Sequence, residues 1–123
     1  MGWCADAIYA GVAYQYVDTD QDQDAAAAFR AAANQMIALG AAVDGALLHG
    51  SLDTSSAVRT LATYAGETDI AAVWSVAHTQ ALQQQITWPD ISELPQNQRG
   101  PIASAQAFLA VCAARGYGIQ FDP

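Results

Sequence analysis

Lysine is absent from the 123-residue sequence, and the only permanent cations are Arg30, Arg59, Arg99 and Arg115. Against 12 acidic residues they leave a formal net charge of −8. The four arginines are dispersed, so no basic stripe exists to neutralise phosphates, and direct nucleic-acid binding is not expected. Attraction to an anionic membrane surface fails for the same reason. Long apolar runs are missing too: none approaches the ~18 to 20 residues that a membrane span requires. The opening segment MGWCADAIYAGVAYQYV has no cationic start and contains Asp6, so no secretory signal is read there. The expected location is the cytoplasm, or a virion or similar assembly.

The residues of common catalytic and metal chemistry are equally scarce. Cys4 and Cys112 stand near opposite ends, which excludes a CxxC redox or zinc motif. They read as small buried hydrophobes. His49 and His78 are the only imidazoles, and no HExxH, HxH or Cys–His spacing surrounds either. Neither a GxSxG elbow nor a Gly-rich phosphate loop is present. No catalytic residue, metal ligand or cofactor is therefore assigned, and the chain is not expected to be an enzyme.

What the sequence does contain is alanine, 28 residues of it, and alanine is the strongest helix former. The stretch Asp24 to His49 is the longest helical pattern. Phe29, Ala33, Met36, Gly40, Val43 and Leu47 recur at steps of three and four, and Gly50 closes the pattern. Trp3 to Val17 reads as a first helix on Cys4, Ile8, Val12 and Tyr16, although VAYQYV at its end also alternates like a strand. A third helix spans about Ser55 to Ala65, entered through Asp53-Thr54 and closed by Gly66. A fourth, capped at Thr68-Asp69, carries Ile70, Val73, Trp74, Ala77, Ala81 and Leu82 inward and Gln80, Gln83, Gln84 and Gln85 outward. Thr87 to Gly100 is a linker in which Ile91 and Leu94 anchor a single turn. Pro101 is placed as the first residue of a last helix bearing Ile102, Ala105, Phe108, Leu109 and Cys112. The expectation is a single helical domain over residues 1–123, all-α, a compact bundle of four to five helices with mostly antiparallel neighbours.

The sharpest local feature is the run DTDQDQD, Asp18 to Asp24. Aspartate caps helix starts and complements their dipole, so the run ends one helix and begins the long one. As an EF-hand loop it fails in both frames: Gln23 or Ala25 stands where glycine is needed, and Phe29 or Ala31 where the closing acid belongs.

Three functional readings follow. The first is a non-catalytic protein–protein interaction module, an inhibitor- or immunity-type protein or an accessory subunit. It would meet a basic surface of another protein through Asp18, Asp20, Asp22 and Asp24, with Tyr16, Trp88 and Phe121 as aromatic contacts. The second is a structural adaptor. The run YVDTDQDQDAAAAFRAAA resembles phage head–tail connector proteins, in which a short helix, a valine–aspartate step and an acidic turn precede a long alanine-rich helix. That resemblance implies an adaptor subunit of a larger assembly, and the Ala/Gly-rich stripes are compatible with a homo-oligomer. The third is a helical protein holding a small ligand or metal between helices, in a pocket lined by Trp74, His78 and Tyr14.

Overall fold

The computed structural model describes residues 3–9, 15–67 and 73–122. Among them it contains four α-helices and a four-stranded antiparallel sheet, so the fold is α+β and the all-α expectation is corrected. The elements in chain order are β1 (Cys4–Tyr9), α1 (Gln23–Ala38), β2 (Ser51–Leu52), α2 (Ser55–Ala65), β3 (Val73–Trp74), α3 (Val76–Gln85), α4 (Gln96–Arg115) and β4 (Tyr117–Asp122). Single 3-10 turns at Gly45–His49 and Ile91–Glu93 fill two of the connections.

The first departure from the helical reading is β1. Its neighbours in the sheet are β2 and β4, and the spatial order is β2-β1-β4-β3. Cys4 faces Asp122, Ala7 faces Ile119 and Tyr9 faces Tyr117, a six-residue register. Side chains alternate across a strand, so Ala5 and Ala7 fall on the inner face with Tyr117, Ile119 and Phe121, all buried. Leu52 joins that face opposite Ala5, and Trp74 opposite Ile119. Cys4, Asp6 and Ile8 fall on the other face. The four-residue spacing of Cys4, Ile8 and Tyr16 is thus produced by a strand and its return limb. Past Tyr9 the chain comes back antiparallel: Ile8 bridges Tyr16, and the Val17 N–H donates to the Ala7 carbonyl at 3.0 Å. Val12 and Tyr14 lie outside the described residues.

The long helical pattern also divides. Asp22 caps α1, accepting from the Ala25 N–H at 3.0 Å. Phe29, Ala33 and Met36 line its buried side. The helix stops at Ala38 because Gly40 takes φ of 84°, a left-handed conformation that side chains disfavour. Gly40 therefore ends the stripe instead of filling it. Leu47 reaches the core from the 3-10 turn, which Gly50 closes. Of the proposed fourth helix, Thr68, Asp69 and Ile70 lie outside the described residues, while Val73 and Trp74 form β3 at the sheet edge. Ser75 is the real cap of α3, its hydroxyl accepting from the His78 N–H.

The organising element is α4. It packs against α1, α2, α3, β2 and β4. Ala103, Ser104, Ala105, Ala107, Phe108, Leu109, Val111, Cys112 and Ala113 are all buried, so the helix is covered on nearly every side. Small residues let its neighbours approach, and Phe108 stacks near Phe29 with centroids 6.2 Å apart. Each fully buried Phe contributes roughly 2 to 3 kcal/mol of hydrophobic stabilisation. Pro101 lies inside α4, which begins at Gln96 and not at Pro101. The carbonyl it leaves without an N–H is that of Asn97, an exposed residue, which water can satisfy. No helix among the described residues is long and apolar enough to cross a membrane.

Candidate functional site

The acidic run is a tight turn between the return limb and α1. The carbonyl of Asp18 accepts from the N–H groups of Gln21 and Asp22, and its carboxylate accepts from the Asp20 N–H at 3.0 Å. Val17 and Thr19 are buried under the turn, which leaves Asp18, Asp20 and Asp24 pointing into solvent. Asp22 is committed differently. Besides capping α1, it receives the hydroxyl of Tyr9 at 3.3 Å. The Ala25 N–H, more than any other neighbour, holds its carboxyl below the ordinary aspartate value.

An open cleft of about 460 Å³ lies along this turn, walled by Tyr9, Tyr16, Asp18, Gln21, Asp22 and Asp24 among others. Tyr16 is 50% exposed, the most exposed aromatic ring described. Partial desolvation of its hydroxyl, followed by the carboxylates of Asp122 and Asp6, pushes its pKa up. At the back of the cleft the Tyr9 ring meets Tyr117 edge-on at 5.6 Å. Arg115 turns toward Tyr117, its Nε donating to the hydroxyl at 2.9 Å. This bond, ahead of the fields of Asp22 and Asp24, keeps the guanidinium pKa raised. The arrangement offers an aromatic surface beside the exposed carboxylates of Asp18, Asp20 and Asp24, with the cation Arg115 in the field of Asp22 and Asp24. Among the described residues that line it, no nucleophile is paired with a base.

Of the residues singled out in the sequence, the fold brings together Tyr16, Asp18, Asp22 and Asp24, with Asp20 on the same turn. The other two aromatics lie elsewhere. Trp88 is half-buried after α3 and packs on Tyr64 of α2 at 4.7 Å. Phe121 is buried in β4, 4.6 Å from Trp74, so its side chain belongs to the core of this chain.

The Trp74–His78 pair expected to line a ligand pocket is present as a contact, edge-on at 5.5 Å. Trp74 is core, and His78 Nε2 lies 3.0 Å from Glu67 Oε1. Tyr14, the third residue of that pocket, lies outside the described residues. Among the described residues no group of three or more His, Cys, Asp or Glu side chains could hold a metal ion. Cys4 and Cys112 are both free thiols, and burial pushes the Cys112 thiol far up.

Three polar arrangements escaped the sequence reading. Asp44, buried at the head of the 3-10 turn, accepts from the N–H groups of Ala46, Asp53 and Thr54 and from the Thr54 hydroxyl. Burial opposes its ionisation, and these donors overcome that, holding its pKa down. The same carboxylate, through hydrogen bonding and repulsion, pushes Asp53 up. Arg99 binds the carbonyls of Leu94, Leu39 and Ser92, joining the ends of α1 and the second 3-10 turn to α4. Asp6 receives the Ser51 hydroxyl at 2.6 Å on the outer face of the sheet. The sequence signal for the first was the Asp-Gly step before a short apolar run, a capping pattern. The other two had no local signal, because their partners are distant in sequence.

Comparison of the chain with protein-family models, with curated proteins and with solved structures finds no match.

Proposed function

We propose that the protein is a non-catalytic interaction module that binds a basic surface of another protein through Tyr16 and the Asp18–Asp24 turn. The observation that carries this reading is the half-exposed Tyr16 ring beside the outward carboxylates of Asp18 and Asp24 in an open cleft. An exposed tyrosine supplies rigid contact area, and a surrounding field of one sign steers an oppositely charged partner. The overall charge of −8 acts in the same direction at long range.

The test is capture of a partner from the cells that make the protein, using immobilised wild type and an Asp18→Asn/Asp20→Asn/Asp24→Asn variant as paired baits. Asp22 is left intact because it caps α1. The expected outcome is a basic protein retained by wild type, lost from the variant, and released as salt rises to about 0.5 M, where surface charges are strongly screened. A partner held equally by both baits, or indifferent to salt, overturns the reading.

A further inference from the structure

We draw no further inference here: the strongest candidate, the outer face of the sheet where Asp6 and Asp122 lie between the exposed side chains of Tyr16 and Val73, is an acidic cluster, and nothing in the structure shows what covers it.

Discussion

Asp44 Oδ2 accepts both the backbone N–H of Thr54, at 2.9 Å, and its hydroxyl, at 3.0 Å. The backbone N–H of Asp44 in turn donates to Ser104 Oγ at 2.9 Å, and that hydroxyl donates to the Gly100 carbonyl. One buried residue thereby fastens the turn before β2 to the entrance of α2 through its carboxylate, and to the middle of α4 through its backbone N–H.

Removing that carboxylate strands the N–H groups of Ala46, Asp53 and Thr54. Asp44→Ala is expected to lower stability by about 3 kcal/mol, because donors to a buried charge are left unpaired. Asp90→Ala removes the comparable but exposed cap of the second 3-10 turn and is expected to cost about 1 kcal/mol or less. Urea midpoints for the two variants check the contrast, and equal losses would refute it.

The same residue makes acid denaturation predictable. The folded pKa of Asp44 is depressed, so its stabilisation is fully present above the unfolded value of about 3.9 and is lost as pH falls through the folded one. Asp44→Asn is expected to show a flatter stability–pH curve than wild type below about pH 4. Thermal melts between neutral and acid pH measure this.

Asp6 has the opposite sign. Burial, reinforced by Asp122, raises its folded pKa above the unfolded one despite the bond from Ser51. Ionising it is harder folded than unfolded, so the fold loses stability as pH rises from the unfolded to the folded value. Asp6→Asn removes that penalty and keeps an acceptor for Ser51. It is expected to raise the melting temperature at pH 7, with the gain vanishing below about pH 4. No gain at neutral pH would show that the Asp6 charge is well solvated.

Gly118 and Gly45 separate close packing from open space. A Cβ at Gly118 would stand 2.7 Å from the carbonyl oxygen of Trp74, whereas one at Gly45 would meet nothing within 4 Å. Gly118→Ala is expected to destabilise by about 1 to 3 kcal/mol by forcing β3 away from β4. Gly45→Ala is expected to be within about 0.5 kcal/mol of wild type. Chemical denaturation of both variants decides it.

Much of the helical part was legible. Residues Ser55–Ala65 with Gly66 behind them, the aspartate-led start of α1 and the single turn at Ile91 all carry local capping chemistry, and local chemistry is what a sequence displays. The strands were hidden for a physical reason. In β1 the inward residues are Ala5 and Ala7, while Cys4 and Ile8 point outward, so the usual contrast between an apolar and a polar face is cancelled. β4 does alternate, with Tyr117, Ile119 and Phe121 inward, but with Gly116 just before it and Gly118 inside it the segment also reads as a helix end followed by a tail. At Val73 and Trp74 a helical spacing continued into α3 concealed two residues of edge strand. For the candidate site, the acidic run was plain and Tyr16 was named. The bond from Tyr9 to Asp22 was not foreseeable, because it depends on β1 being a strand.

The placement of β4 between β1 and β3 has a bearing on biogenesis. As the chain leaves the ribosome, β1 precedes every other described element; β2 reaches it early through two residue pairs, but β4, which pairs along all six residues of β1, is made after every helix described. Until then Ala5, Ala7 and Trp74 lack Ile119 and Phe121, and the inner edges of β1 and β3 have no common neighbour. Such long-range pairing is slow, and unpaired edges of this kind invite association with other chains. A nascent chain halted before Tyr117 is therefore expected to leave β1 without β4 and to associate with other chains more readily than the complete fold.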